Sequence, residues 1–197
     1  MKAKINRILK KMDKLNINRE QKIDIKNIIN FEKYFNIKFP ETYVLYLTEI
    51  QNGGYSEKLH DKGPYYGIYS LEKSIEENKK WEVNICENFE LTDDLEIEGN
   101  EFLIEKYQNT DTLNGTIPIC EYGCGDFFRL IINGKRRGEI VIDSGTLEGV
   151  GYYFMNVDIL TFFENWLDHK IKYGNKFIKA NYSFLEFGNN IKYKIVE

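Results

Sequence analysis

The sequence predicts an α+β fold in which helices pack on a single antiparallel, mostly meandering sheet. Amphipathic helical segments open the chain, and short apolar strands separated by glycine-rich turns occupy residues 116–155. Short hairpin connections require antiparallel pairing, because parallel strands need a crossover of about a dozen residues. A further amphipathic helix follows the strands, so the order of elements indicates this fold class.

The first part of the chain is predicted to be helical. Apolar residues at helical spacing indicate one helix over residues 5–15 and a second one, beginning near Ile25, that ends by Phe39. The second helix must end there because Pro40 disfavours the α conformation of the residue before it. Pro40 itself suits the first position of a third helix, and the Asn-Gly-Gly run at 52–54 supplies residues that end it.

A strand, a helix and an acidic excursion are predicted next. Residues 63–69 are aromatic, β-prone and bounded by turn residues, which predicts a strand. Ser70 then caps a helix that continues to about Trp81. Residues 82–115 are acidic and polar with weak periodicity, and we expect a long excursion with one short helix around residues 98–107.

The strands of the second half carry clear turn signals. Residues 116–119 are expected at a sheet edge or a bulge, because Pro118 cannot donate a hydrogen bond to a neighbouring strand. Strands over 127–132 and 138–143 are joined through Asn133-Gly134, and Asn-Gly between apolar runs is the strongest short-range hairpin signal.

The last predicted elements follow residue 150. A strand over 150–155 leads to a helix capped by Asn156 or Asp158. Beyond residue 170 the chain is rich in Tyr, Asn and Lys, and two interpretations stay open there: a helix near 178–187 or further strands.

Length and composition indicate one globular domain over residues 1–197. The chain is 42% hydrophobic and 15% aromatic, and a chain of this size buries roughly 70% of its unfolded surface. No apolar run approaches the ~18 residues of a membrane span, and the basic N-terminus lacks the apolar region of a secretory signal. Three cysteines, an odd number, suit a reducing compartment. We therefore expect a cytoplasmic protein that does not bind membranes.

The net charge of −4 is the sum of two segments of opposite sign. Residues 1–38 contain eleven Lys and Arg against four acids, and residues 87–111 contain nine acids against Lys106 alone. A solvated helix face accounts for the basic end, and a solvated loop is one interpretation of the acidic segment. However, like charges at this density repel one another, and such a segment can steer a charged partner.

No residue set predicts catalysis or metal binding. Cys120 and Cys124 invite a zinc hypothesis, but Cys86, His60 and His169 do not stand at ligand-pair spacing. A Cys–His nucleophile pair lacks a glycine elbow and an orienting partner. We therefore expect no catalytic residue, no metal and no cofactor, and a small Cys/His-dependent enzyme is kept as a second alternative.

Phosphate and nucleic-acid binding are also disfavoured. The glycine-rich turn at 123–126 lacks the Gly-Lys-Ser/Thr ending and the following helix of a phosphate-binding loop. Its aspartate, Asp126, suits a tight turn instead. The basic stripe over Lys2–Lys14 has no accompanying motif for base recognition, so no specific nucleic-acid partner is expected.

Several segments, in the correct order, resemble the SUKH superfamily. They are the segment from Phe39-Pro40 through Tyr43 and Leu47 to Asn52-Gly53-Gly54, the strand Ile117-Pro118-Ile119, the turn Gly123-Cys124-Gly125-Asp126, the strands over 127–132 and 138–143, and the helix end Phe162–Leu167. The resemblance covers about residues 22–168. It identifies one SUKH-like domain, to which the basic helix over 1–18 and the extension over 170–197 are additions. The long 82–115 excursion departs from the family pattern.

The superfamily includes fungal cell-wall-assembly regulators and bacterial toxin-immunity proteins. The resemblance therefore implies a non-enzymatic, immunity-type protein that occludes a cognate bacterial toxin domain, often a nuclease. A basic toxin surface would match the acidic segment. The alternative is a regulatory protein–protein interaction module of the same fold, and the oligomeric state stays open.

The residues expected to contact this partner are acids of the 87–111 segment, nearby tyrosines and the turn aspartate. They are Tyr65, Tyr66, Glu87, Glu90, Asp93, Asp94, Glu96, Glu98, Glu101, Tyr122 and Asp126. Tyrosine is included because it is enriched in interface hot spots, where it brings a large rigid ring with a polar tip.

Overall fold

The computed structural model describes residues 1–107, 109–145, 150–174 and 187–188. The helices in these ranges are α1 (Lys2–Lys14), α2 (Ile25–Phe35), α3 (Glu41–Leu45), α4 (Leu71–Lys80), α5 (Glu101–Tyr107) and α6 (Ile159–Tyr173). The strands are β1 (Leu95–Glu96), β2 (Thr116–Gly123), β3 (Asp126–Ile131), β4 (Ile140–Ser144) and β5 (Gly151–Phe154). A π-helical turn (Tyr46–Ile50) continues α3, and a 3₁₀ turn (Thr110–Leu113) precedes β2.

The strands form one antiparallel sheet in the order β1-β5-β4-β3-β2. Strands β2 to β5 pair with their sequence neighbours as a meander. Strand β1 comes from the acidic segment and pairs with the outer edge of β5. The predicted α+β fold with one mostly meandering antiparallel sheet is therefore confirmed.

The two faces of the sheet are covered by different parts of the chain. Phe128 and Tyr153 point to the face that packs against the helices. Val141 and Phe154 point to the opposite face, where they pack against Phe89 of the 82–115 segment. Successive residues of a strand point to opposite faces, so each strand contributes to both clusters. The 82–115 segment consequently covers one face of the sheet.

Helix α6 is the most deeply buried helix of the described chain. Phe162, Phe163 and Trp166 are fully buried against the sheet and α3. Its N-terminus is capped by Asp158, whose Oδ1 accepts a hydrogen bond from the backbone N of Thr161 at 2.7 Å. Asp158 is therefore the cap, and Asn156 is not.

Helix α1 packs against α6 through apolar and charged side chains. Ile5, Ile8 and Met12 are buried. They are spaced about one helical turn apart, so all three lie on one side of α1. At the edge of this contact, Arg7 pairs with Glu164 of α6 at 3.0 Å. The basic N-terminal helix therefore has a packed apolar face, as its pattern predicts.

The predicted strand over 63–69 is wrong. Only Ile68 makes a β-bridge, to Cys120. Tyr65 has φ 48° and Gly67 has φ 89°, and a left-handed residue cannot continue an extended strand. The backbone N of Gly67 instead donates to Pro64 O at 2.7 Å, which closes a turn.

The predicted hairpin of β3 and β4, joined through Asn133-Gly134, is confirmed, although this pair does not form a two-residue turn. The β3–β4 connection is longer, and Gly134, with φ 126°, makes a parallel bridge to Phe89. Asn133 O accepts a hydrogen bond from Phe89 N at 3.0 Å, and its side chain donates to Ile85 O at 2.7 Å. The pair therefore fastens the 82–115 segment to the sheet.

The remaining differences concern element ends. Pro40 caps α3, and Glu41 is the first helical residue. The short helix expected over 98–107 is present as α5, whereas β1 was not predicted. The two interpretations of residues beyond 174 concern a stretch that lies outside the described residues, Phe187 and Gly188 excepted.

Candidate protein-binding surface

The acidic segment is held in place by hydrogen bonds to β5 and to the residue before it. Asp94 Oδ1 accepts a hydrogen bond from Phe154 N at 2.8 Å, and Ile97 N donates to Val150 O at 2.9 Å. Farther along, the Tyr152 hydroxyl donates to the carbonyl of Tyr107 at 3.0 Å. Because these bonds anchor the segment along β5, its outward side chains occupy defined positions.

A second anchor lies where the segment begins. The Glu87 carboxylate accepts hydrogen bonds from the side-chain amides of Asn84 and Asn114, at 2.9 and 2.7 Å. Asn114 Oδ1 in turn accepts from Asn84 N at 2.8 Å. Gly115, with φ 74°, has no room for a side chain, because a Cβ would lie 2.5 Å from Phe89 N.

These anchors shape an acidic groove, defined as the groove lined by Glu82, Asn84, Glu87, Asn88, Glu90, Asp111 and Asn114. Six of the acids expected at the partner contact are exposed: Glu87, Glu90, Asp93, Glu96, Glu98 and Glu101. Of these, Glu87 and Glu90 line the groove. Glu82 and the three asparagines were not predicted, because the contacts between residues 84–88 and 111–115 are not visible in local sequence patterns.

The predicted tyrosines and Asp126 lie elsewhere. Tyr65 is buried, with its ring 5.3 Å from that of Phe128. Tyr66 and Tyr122 are half-buried near the far end of β2. Strand β2 and the acidic β1 form opposite edges of the sheet, so these tyrosines and the β1 acids do not share one edge.

Asp126 belongs to the interior. It is 1% exposed, and its carboxylate accepts hydrogen bonds from Gly145 N at 2.8 Å and from the Ser144 hydroxyl at 3.3 Å. These contacts join the β2–β3 turn to the end of β4. We therefore leave Tyr65 and Asp126 out of the surface proposed below.

A buried arginine lies on the sheet face that the acidic segment covers. Arg129 is 1% exposed and donates to Thr116 Oγ1 and to Asn78 Oδ1, each at 2.8 Å. Burial lowers the pKa of Arg129 to about 10. Burial also raises the pKa of the neighbouring Asp143 to about 6, although the charge of Arg129 opposes this change. This network is interior and joins α4 to the sheet.

The hydrogen bonds described for the side chains of Cys120 and His60 are made with backbone groups. Cys120 is buried, donates to Pro64 O at 3.2 Å, and has a thiol pKa that burial raises well above its usual value. His60 Nδ1 accepts a hydrogen bond from Tyr65 N at 2.9 Å. Among residues 1–107, 109–145, 150–174 and 187–188, no group of three His, Cys, Asp or Glu side chains is placed to hold a metal ion.

An apolar groove adjoins the acidic groove. It lies between α2 and α4 and is lined by Asn27, Asn30, Phe31, Tyr34, Phe35, Ile75 and Lys79. At its inner end is a small cavity that shares Phe35, Ile75 and Lys79 with the apolar groove and Asn84 with the acidic groove. The sequence pattern predicted α2 as a helix and gave no sign of this groove.

The chain is an α+β protein with an acidic groove and an apolar groove on its surface. In the described ranges, no helix has the length and apolarity that crossing a membrane requires. Residues 22–164 match the family model of the SMI1 / KNR4 family (SUKH-1). This match covers well over half of the chain, so the chain belongs to that family. Comparisons with curated proteins and with solved structures found no match.

Family membership confirms the resemblance to the SUKH superfamily. That superfamily is known in toxin immunity and related roles, and its members are in general non-enzymatic proteins that bind other proteins. The coarse function of this chain is therefore protein binding.

Proposed function

We propose that this chain is a bacterial immunity-type protein that binds a cognate basic toxin domain and blocks it by occlusion. The observation that carries the proposal is the row of exposed carboxylates on the anchored 82–115 segment, in a chain of the SMI1 / KNR4 family. The contact residues are the exposed acids Glu87, Glu90, Asp93, Glu96, Glu98 and Glu101, together with Glu82 and Asp111.

Charge complementarity supports a basic partner. A nuclease surface built for phosphate is rich in Lys and Arg, and a matched acidic surface raises the association rate and the specificity. The anchored backbone adds to this effect, because a segment that is already ordered loses less conformational entropy on binding. Neutralisation then requires coverage of the toxin surface and no covalent chemistry.

A cytoplasmic location fits the same proposal. All three cysteines, Cys86, Cys120 and Cys124, are free thiols, which persist in a reducing compartment. A toxin that is made in or delivered to the cytoplasm would meet this inhibitor there.

Co-expression tests the proposal. The proposal requires a toxic domain encoded beside this chain, and expression of that domain alone should stop growth of the host cell. Co-expression of the full chain should restore growth. Unchanged killing, or a gene neighbourhood without any toxic domain, contradicts the immunity function and leaves the regulatory interaction module as the function of the fold.

A matched pair of charge variants tests the surface. Glu90→Lys/Glu98→Lys changes two exposed acids of the segment, and Glu49→Lys/Glu57→Lys changes two exposed acids elsewhere by the same total charge. The first variant should lose most of the protection at equal protein level, and the second should keep it. Equal protection by both variants contradicts the role of the acidic segment.

A further inference from the structure

The apolar groove between α2 and α4 exposes aromatic surface. Tyr34 of α2 lies at its edge with 83% of its surface exposed, whereas Ile75 of α4, at its base, is 6% exposed. Phe31 and Phe35 are half-buried between them, with ring centroids 4.6 Å apart. Large exposed aromatic side chains beside a groove are typical of protein-binding sites.

The inner cavity is the size of one side chain. Its volume is about 110 Å³, and Asn78, Val83, Ile85 and Cys86 complete its lining. A buried apolar cavity of roughly 150 Å³ holds a benzene molecule, whereas sites for drug-sized ligands have roughly 300–1,000 Å³. The cavity therefore suits one apolar side chain and excludes a bound cofactor by size.

The cavity is formed before any partner arrives. The Cys86 thiol donates to Phe35 O at 2.9 Å, which ties the loop after α4 to the end of α2. Val83 N donates to Asn78 O at 3.0 Å and fixes the start of the same loop. A preformed cavity binds more tightly than one that must be ordered on binding.

The apolar groove and the acidic groove carry charges of opposite sign. Lys79 is exposed and lines the apolar groove and the cavity. On the other side of Asn84, the acidic groove presents Glu82 and Glu90. A cationic side chain would be repelled at the Lys79 end and attracted at the Glu90 end.

We propose that the two grooves and the cavity together recognise one segment of the partner protein, in which an apolar side chain is flanked by Lys or Arg. The apolar side chain enters the cavity between Phe35 and Ile85, and the cationic side chain lies in the acidic groove beside Glu90. This inference rests on the proposed function and assigns the chemistry of the partner's contact segment.

The exposed Cys86 provides a matched test. Cys86 lines the cavity, and Cys124 lies in the exposed β2–β3 turn. A bulky maleimide on Cys86, in a Cys124→Ser chain, should fill the cavity. The same Cys124→Ser chain without the label keeps the cavity open and is the control. The labelled and unlabelled chains are checked by circular dichroism for an unchanged melting temperature.

The probe is a phage library of random 12-residue peptides, selected on the unlabelled full chain. Enriched peptides should combine an apolar residue with nearby Lys or Arg. Their binding should fall at least about tenfold on the Cys86-labelled protein, the loss expected when a central anchor is removed. It should be unchanged on the unlabelled Cys124→Ser chain. No enrichment, enrichment of acidic peptides, or equal binding to the labelled and unlabelled Cys124→Ser chains overturns the proposal.

A substitution without a label gives an independent readout. Tyr34→Ala should weaken binding of the same peptides about tenfold, and Tyr173→Ala, at the exposed end of α6, should not. Self-association of the unlabelled chain that Cys86 labelling abolishes would make the occupant a second copy and overturn the proposal.

The outcomes separate this inference from the immunity function. Growth protection that survives Cys86→Trp and Tyr34→Ala supports the immunity function and contradicts the proposed role of the groove in recognising the partner. Selected peptides that have the predicted pattern, together with no protection from any toxic domain, support the proposed role of the groove and contradict the immunity function.

Discussion

Two ionisable side chains, the buried His60 and the half-buried Asp143, respond to desolvation with opposite changes in pKa. His60 is 6% exposed, and burial, assisted by the charge of Lys170, lowers its pKa to about 4. Burial raises the pKa of Asp143 to about 6, against the opposing effect of Arg129. In the folded protein each side chain therefore favours its neutral form, because an ion is less well solvated there than in water.

These pKa changes alter stability with pH in opposite directions. Between pH 4 and 6.5, unfolded His60 binds a proton that the folded form does not, so its contribution to the free energy of unfolding falls as the pH is lowered. Between about pH 4 and 6, folded Asp143 keeps a proton that the unfolded form has lost, so its contribution falls as the pH is raised. The two effects oppose each other in the wild type.

Removing one group should reveal the other. His60→Asn tolerates the φ of 55° at this position and keeps an acceptor for Tyr65 N. Its free energy of unfolding should therefore decrease from pH 4 to pH 6 relative to the wild type, by about 2 to 3 kcal/mol. Asp143→Asn should show the opposite change. Urea unfolding at pH 4, 5 and 6 measures both, and parallel pH curves for all three proteins would contradict the assignment.

At the scale of elements, the contact between α1 and α6 depends on Glu164. Its carboxylate, 8% exposed, pairs with Arg7 at 3.0 Å and with Lys11 at 2.9 Å. Burial raises the pKa of Glu164, but the hydrogen bonds from Arg7 and Lys11 outweigh this effect and lower it overall. The stabilisation is therefore present above the unfolded pKa and is lost as the pH falls through the folded pKa.

Glu164→Gln should loosen α1 selectively. The amide keeps the shape but leaves Arg7 without its charge partner and Lys11 with Asp168 alone, at a cost of about 1 to 2 kcal/mol. Amide hydrogen exchange at pH 7 should accelerate in α1 and stay unchanged in β3 and β4. Glu41→Gln, which changes an exposed acid, is the control. Equal acceleration in α1 and the sheet would mean that the two elements unfold together.

The bridge between the acidic segment and the β3–β4 connection gives a third prediction. Gly134 has φ 126°, and a Cβ there would lie 2.5 Å from Phe89 O. Gly134→Ala should therefore lower the free energy of unfolding by about 3 kcal/mol, from backbone strain and the displaced bridge. Gly125, with φ 89°, has no atom within 4 Å of such a Cβ, so Gly125→Ala should cost about 1 kcal/mol. Urea denaturation compares them, and equal losses would contradict the steric explanation.

Local sequence signals predicted the elements that depend on local interactions. Ser70 and Asp158 cap α4 and α6, because a side-chain oxygen meets a backbone N–H two or three residues later. The failures depend on distant contacts. Strand β1 exists because Leu95 pairs with Tyr152, and the contact of Asn133-Gly134 with Phe89 was not predicted either.

The candidate site was predictable in composition but not in geometry. The acid-rich stretch is evident from the sequence, yet Glu82 joins Glu90 and Asp111 only because residues 84 and 114 meet. Tyr65 is buried by a left-handed turn, which an aromatic, β-prone run of residues does not predict. Sequence periodicity reports which side of an element is apolar, and it does not report how far the next element covers that side.

At the scale of the whole molecule, the basic and acidic segments differ in how they are neutralised. Lys4, Arg7 and Lys11 of α1 pair with acids of α6. Among the described residues, Glu90 and Glu98 make no ion pair within 4.0 Å. The exposed acids of the segment therefore give a negative local field, although the net charge is only −4.

This field predicts a salt-dependent association with the toxin domain proposed as the partner. Exposed charges are screened over about 8 Å at 0.15 M salt, so the association rate of the wild type should fall steeply as salt increases. Glu90→Lys/Glu98→Lys should associate roughly tenfold more slowly at low salt, with a flatter salt dependence. Stopped-flow or surface plasmon resonance measures this, with Glu49→Lys/Glu57→Lys as the control. Identical rates for all three proteins would contradict steering by the segment.

The anchoring of the acidic segment has an evolutionary consequence. The atoms that fasten it are inward ones, such as the carboxylate of Asp94 and the amide of Asn114, while Glu90 and Glu98 extend into solvent without internal partners among the described residues. Replacing the outward side chains leaves the fastening intact. Duplicated copies of this gene can therefore change at those positions to fit a different partner, while the hydrogen bonds that hold the segment stay the same.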